Sequence, residues 1–275
     1  MEANRIRRPL PRGYPTNSLT LSRPWDGIGD WLFCLAVLKY VNRQRPDVEC
    51  FVDFRALRVR AGLPPFVQQV FEDSDVRFSH GVGPAGTMVT ADSLVYRKWP
   101  PDLYLESTVH HLNDQTGLDI KYEHGVYPRF RSGRARANGD GYVVMIGQGK
   151  RRERFRKEWG FANFSALAAH LARAGVTVIQ IGKASDSRLP TAKKQVMGAH
   201  ARDVVGILSG ARAFIGIENG MMVLAGYLGV PQITIYDGAS HPVRTNFDGQ
   251  AKLVDRIEPR EAAERTIQWL QTGNL

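Results

Sequence analysis

Residues Gly216 to Tyr236, reading GIENGMMVLAGYLGVPQITIY, constrain the fold more than any other stretch of the chain. They read as a strand end, a glycine turn, an apolar helix, the helix-ending Gly229-Val230-Pro231 and a second strand, which is the repeating piece of a parallel α/β sheet. The turn Glu218-Asn219-Gly220 passes straight into the helix. N–H groups of its first turn, those of Gly220, Met221 and Met222, therefore lack intrahelical partners and can hold a phosphate without side-chain charge. The segment points to a phosphorylated ligand, although strand–turn–helix units are common to all α/β proteins.

Length and composition fit that frame. A chain of 275 residues with 43% hydrophobic content can bury a substantial core and suits two domains. It contains no apolar run near the ~18 residues of a membrane span, and MEANRIRRPLPRGYP at its start lacks the apolar run of a signal peptide. A cytoplasmic protein is expected, in contact, if anywhere, with the inner face of the membrane. The two cysteines, Cys34 and Cys50, lie in apolar surroundings without metal-ligand spacing and read as buried thiols.

Lys and Arg exceed Asp and Glu by 37 to 27, a formal charge of +10. Arg5, Arg7, Arg8 and Arg12 form a Pro-rich arm, and Lys150, Arg151, Arg152, Arg154, Arg156 and Lys157 crowd a glycine-rich turn. Such a surface favours polyanions: phosphorylated glycans, anionic membrane surfaces or nucleic acid.

Ser18 to Arg23 reads as a strand, and a helix is expected from Asp30 to about Gln44, followed by a strand from Val48 to Phe54. Trp31 to Leu38 leaves that helix no polar face, so its start should be buried. Between Arg55 and Arg131 only a helix from Leu105 to Gln115, stopped by Gly117, is legible. Adjacent helical positions face different ways, so its His110 and His111 read as structural rather than as a metal pair. The composition of Arg131 to Gly141 (RSGRARANGDG) is that of a linker and separates a domain of residues 1–135 from one of 136–275. Beyond it, strands at Tyr142–Ile146, Val176–Ile181 and Ala213–Ile217 alternate with helices at Asn163–Ala174, near Asp203–Gly210 and at Pro259–Gln271. That alternation implies a parallel sheet covered on both faces.

Three segments resemble glycosyltransferase family 9, the family of the heptosyltransferases. They are Gly27-Ile28-Gly29-Asp30 before the apolar helix, Lys157-Glu158-Trp159 before Asn163-Phe164-Ser165-Ala166-Leu167, and the Glu218 turn ending in LAGYLGVPQITIY. The resemblance implies the GT-B fold, two Rossmann-like α/β domains with parallel sheets facing across a cleft, the second holding the nucleotide sugar. It also implies an inverting transfer from a nucleoside-diphosphate sugar, with no cofactor and no essential metal.

The residues it assigns can be set against physical need. Asp30, after two glycines at a helix start, is the base that would take the acceptor's proton, an effect worth roughly 10²–10⁴ in rate. The plainer reading makes it a helix cap worth about 1 kcal/mol. Gly29 lies beside it. Lys157 stands at the family's phosphate-contacting lysine, with Gln148 and the arginines 152 and 154 (Arg152, Arg154) in the same loop, where positive charge offsets a leaving diphosphate. Glu218, Asn219 and Gly220, with the N–H groups of Met221 and Met222, supply the other half of that grip. The chain departs from the family in carrying Glu218 where Asp is usual and Val223 where a histidine follows. Asp186 is a further candidate, for the nucleotide ribose.

Competing motifs fall away. Gly81-Val82-Gly83-Pro84-Ala85-Gly86 spells G-x-G-x-x-G but has Pro84 inside it and no helix signal after it, so it reads as a loop. Asp73-Ser74-Asp75 spells a metal-binding D-x-D, but VQQVFE before it is a poor strand. The acceptor is expected to be anionic, a lipopolysaccharide-core-like phosphorylated glycan first and a hydroxylated base of modified DNA second; a third reading makes the chain itself a degenerate, non-catalytic GT-B binding protein.

Overall fold

The structure, a computed structural model, describes residues 18–22, 27–53, 65–81, 83, 88–90, 104–131, 141–147, 159–236, 247–254 and 257–272. The described residues divide into two compact units. The first takes those within Met1–Asp26, Phe33–Pro64 and Val76–Val126, and the second those within Gly27–Leu32, Pro65–Asp75 and Tyr127–Leu275. Of the expected linker, Arg131 to Gly141, residues 132–140 lie outside the described residues.

In the first unit, β1 (Ser18–Ser22), β2 (Glu49–Asp53), β3 (Ser79–His80) and β4 (Met88–Thr90) form one parallel sheet in the order β3-β2-β1-β4. Helix α1 (Ile28–Gln44) starts two residues before the expected Asp30, and Trp31 to Leu38 are buried without exception, as the unbroken apolar run demands. Its first residues, through Leu32, belong to the second unit. There Trp31 packs edge-on to Phe71 with ring centroids 5.8 Å apart. Tyr40, in the first unit, packs on Tyr122 and donates to the Glu123 carbonyl at 3.1 Å. Helix α3 (Tyr104–Thr116) stops at Gly117, whose φ of 69° is the left-handed conformation glycine tolerates. His110 on it faces solvent beside Glu106 at 3.8 Å. Cys34 and Cys50 are both buried and neither is in a disulfide.

The segment VQQVFE, a poor strand by sequence, is the body of α2 (Pro65–Glu72), with Val67, Val70 and Phe71 buried at helical spacing. The D-x-D that follows is a structural turn in the second unit. Asp73 pairs with Arg202, Asp75 Oδ1 accepts from the Arg129 N–H at 2.9 Å, and Ser74 bridges Phe130.

A six-stranded parallel sheet carries the second unit, in the order β10-β9-β8-β5-β6-β7. Its strands are β5 (Tyr142–Met145), β6 (Thr177–Gly182), β7 (Lys194–Met197), β8 (Ala213–Ile217), β9 (Gln232–Tyr236) and β10 (Gln250–Val254). Helices α4 (Phe161–Arg173), α5 (Ala201–Ser209) and α6 (Gly220–Tyr227) connect strands of this sheet, and α7 (Pro259–Thr272) follows its last strand. The core joins Val143, Phe164, Leu167, Leu171, Ile215 and Ile233. Strands β7 and β10 carry too few apolar residues to stand out in the sequence. The crossover from β6 to β7 has no helix. The buried Gln180 holds it instead, donating to the Ser187 carbonyl and accepting from the Leu189 N–H, both at 2.7 Å. No helix among the described residues is long and apolar enough to cross a membrane.

Candidate donor site

The carboxyl end of β8 lies inside the second sheet, flanked by β9 and β5, and the chain leaves it through Glu218 and Asn219 into α6. Apolar β-forming residues build the strand, and Asn219, a favoured N-cap type, turns it into the helix. Asn219 Oδ1 accepts from the Met221 N–H at 2.8 Å and from the Met222 N–H at 3.1 Å. Two of the donors expected to face a ligand are thus held by the cap; sequence reasoning missed this, although the preference of Asn for N-caps was the signal. The Asn219 Nδ2 amide nitrogen is buried and has no hydrogen-bond partner among the described residues. Glu218 is only 7% exposed.

Within the same unit the start of α1 comes up against the start of α6. A Cβ on Gly220 would stand 2.7 Å from the Gly29 nitrogen and 2.7 Å from Ile28 Cβ, so only glycine permits the approach. Viewed from Gly29, an added Cβ would meet Gly220 Cα at 3.4 Å and Val223 Cγ2 at 3.8 Å. Val223 is buried at 3% exposure and packs toward this junction. Asp30 lies in the first turn of α1 and is half-buried, its carboxylate turned back over Gly27, whose Cβ would stand 2.6 Å from Asp30 Oδ2. Gly29, Asp30, Glu218, Asn219 and Gly220 therefore come together around two adjoining helix N-termini, where partial positive charge accumulates.

Asp186 follows β6, and its Oδ2 accepts from the Lys183 N–H at 2.8 Å, closing its own turn. Gln148, Arg152, Arg154 and Lys157 lie outside the described residues, whereas Trp159 beside them is buried and donates from Nε1 to the Ile257 carbonyl at 2.9 Å. Among the described residues no group of three or more His, Cys, Asp or Glu could hold a metal ion.

Two all-parallel sheets in two units, the second with a glycine turn leading into a helix N-terminus, define an α/β protein of the GT-B class. Residues 96–266, more than half of the chain, match glycosyltransferase family 9 (heptosyltransferase), and the chain belongs to that family. It is a heptosyltransferase-like glycosyltransferase. Among curated proteins no sequence matches it significantly. Its fold is similar to that of the E. coli ADP-heptose lps heptosyltransferase II, at 11% identity and a TM-score of 0.63 over 93% of this chain and 99% of that one. It is similar also to E. coli heptosyltransferase WaaC with ADP, at 14% identity and a TM-score of 0.63 over 93% and 99%. A third likeness is to TibC, a dodecameric iron-containing heptosyltransferase in complex with ADP-D-beta-D-heptose, at 17% identity and a TM-score of 0.58 over 85% of this chain and 62% of that one. The related structure of TibC names enterotoxigenic E. coli as its source.

Proposed function

We propose that the chain moves a sugar from a nucleoside-diphosphate sugar, ADP-heptose being the first donor to try, to a hydroxyl of an anionic acceptor, with inversion and without a metal. The observation that carries the reading is Asn219, whose Nδ2 is a buried donor lacking a partner among the described residues, at the start of α6. Leaving such a donor unsatisfied costs about 1–3 kcal/mol, which an incoming phosphate oxygen would recover.

In this reading the diphosphate sits at the start of α6 against the Gly220 N–H, the Asn219 amide and the helix dipole, with Lys157 and the arginines 152 and 154 as its cations. The acceptor oxygen bonds to the anomeric carbon while its proton passes to the Asp30 carboxylate. The bond from that carbon to the diphosphate oxygen breaks, and the diphosphate leaves with the electron pair. WaaC and TibC, crystallised with ADP and ADP-heptose, support ADP as the base to test first. A lipopolysaccharide-core-like glycan is the leading acceptor, since its phosphates suit a chain of net charge +10.

Thermal stabilisation by ADP, UDP, GDP and CMP tests the donor side. A nucleotide at about 100 times its Kd stabilises by roughly 2.7 kcal/mol. One nucleoside diphosphate should shift the wild type, and Lys157→Ala and Asn219→Ala should each abolish that shift. No shift with any of the four would sink the donor assignment.

A further inference from the structure

We propose that Tyr227 is a positioning residue for the transfer, its buried hydroxyl holding the first turn of α1, and with it the Asp30 carboxylate, in place beside the start of α6. The proposal rests on the transferase reading above, in which Asp30 is the base. Helix α6 is unusual in its last residue. From Gly220 to Gly226 the helix is apolar, and Tyr227 is the one hydrogen-bond donor among its side chains. Tyr227 is nevertheless only 6% exposed. A leucine or phenylalanine would fill such a place with no hydroxyl to satisfy, so a buried hydroxyl points to a particular partner.

That partner is the Leu32 carbonyl, to which the Tyr227 hydroxyl donates at 3.3 Å. A carbonyl inside a helix gives one lone pair to the helix and keeps a second for another donor. Side chains lean toward the N-terminus of their helix, so Tyr227, at the far end of α6, reaches back along it. The first turn of α1 is thereby met at two points, at Gly29 by Gly220 and at Leu32 by Tyr227, and Asp30 lies between them in the chain. Gly29, Asp30, Leu32, Gly220 and Tyr227 all belong to the second unit, to which α1 contributes only as far as Leu32.

The tyrosine ring is itself held. Tyr127 stacks on it with centroids 4.8 Å apart and planes 18° apart, and Phe247 stands edge-on to it at 5.9 Å. Phe247 fits there because residue 226 is glycine, on which a Cβ would meet the Phe247 ring at 2.4 Å. With its ring fixed, the hydroxyl is aimed in one direction. The contact of Gly29 with Gly220 sets how closely the helices approach, whereas a hydrogen bond also fixes where one lies along the other. At 3.3 Å the bond is long, so it supplies direction more than stability. Direction matters here, since misplacing a reacting group by about 1 Å can cost about 10²-fold in rate.

Tyr227→Phe keeps the ring and removes only the hydroxyl. On the full chain it is read by the ADP thermal shift, by ADP release from ADP-heptose with water as the acceptor, and by fluorine NMR of protein carrying fluorotryptophan, with Trp31→Phe assigning the Trp31 resonance. Trp31 sits between Asp30 and Leu32, its ring against Phe71, and so reports the turn. The variant should keep the wild-type urea midpoint and ADP shift, move or broaden the Trp31 resonance but not that of Trp159, and lower kcat about tenfold at unchanged KM. In Asp30→Asn the same substitution should cost no further rate, because the hydroxyl acts through that carboxylate. A Trp31 resonance identical to that of the wild type overturns the proposal, as does an equal loss of kcat in the Asp30→Asn background or a change in KM alone. Absence of ADP release by the wild type counts against the donor assignment alone, and the Trp31 resonance then decides whether Tyr227 holds the turn.

Discussion

Gly220 and Gly29 face each other, yet their tolerance of a methyl group should differ. Gly220→Ala drives its Cβ to 2.7 Å from the Gly29 nitrogen, a backbone atom that cannot swing aside, and should cost about 1–3 kcal/mol. Gly29→Ala meets nothing closer than 3.4 Å and should leave the urea midpoint nearly unchanged or raise it. Equal losses in the two variants would mean that the two helix starts do not meet this way. Gln232 in β9 is fully buried, and both its amide atoms lack partners among the described residues. Gln232→Met should accordingly be neutral or stabilising, because it removes two unsatisfied groups at nearly constant volume. Burial also pushes the Cys50 thiol up to about 11 from its ordinary value of 9.0. Between those values the unfolded thiol ionises while the native one keeps its proton, so Cys50 contributes stability below pH 9 that is lost as pH rises toward 11. Cys50→Ala should flatten the decline in the urea midpoint across that window.

Helices α2 and α5 are joined through a buried carboxylate. Asp73 is 3% exposed, and its Oδ1 accepts from Arg202 Nε at 2.6 Å and from Nη2 at 2.5 Å, while Oδ2 has no partner among the described residues. The Gln69 side chain of α2 also accepts from the Ala201 N–H at 3.0 Å and so satisfies the first turn of α5. Arg202→Ala would leave a buried charge without its cation, whereas Asp73→Asn removes the charge itself. The first should lower the urea midpoint more than the second, and the reverse order would show that the pair adds nothing beyond packing. The elements also differ in how legible they were. α4 was readable because Phe164, Leu167, Ala168 and Leu171 repeat at helical spacing and Gly175, at φ 77°, stops the chain. α2 was not, because its eight residues give only two turns of pattern.

At the scale of the whole molecule, the two units should respond differently to nucleotide. In hydrogen exchange, ADP should protect amides at the start of α6 and the end of β8 and leave the first sheet unchanged; protection confined to the first sheet would refute the proposed donor site. The charge of +10 bears on the acceptor. If duplex DNA were the acceptor, its affinity would fall about 10³–10⁵-fold between 50 and 200 mM salt for a contact with 6–10 phosphates. Retention that does not weaken with salt would speak against DNA.

The sequence alone determined the alternating α/β architecture, the parallel second sheet and the glycine turn before α6, because hydrophobic period, glycine and N-cap chemistry are local properties of the chain. The strand–turn–helix pattern also marked Gly220, and the resemblance to glycosyltransferase family 9 marked Gly29 and Asp30 as residues of interest. That these helix starts adjoin, and that Asn219 spends one side-chain atom on capping and leaves another buried and unsatisfied, were decided only by tertiary structure. The first of those facts joins residues distant in the chain and the second depends on burial, and packing, which no local pattern encodes, decides both.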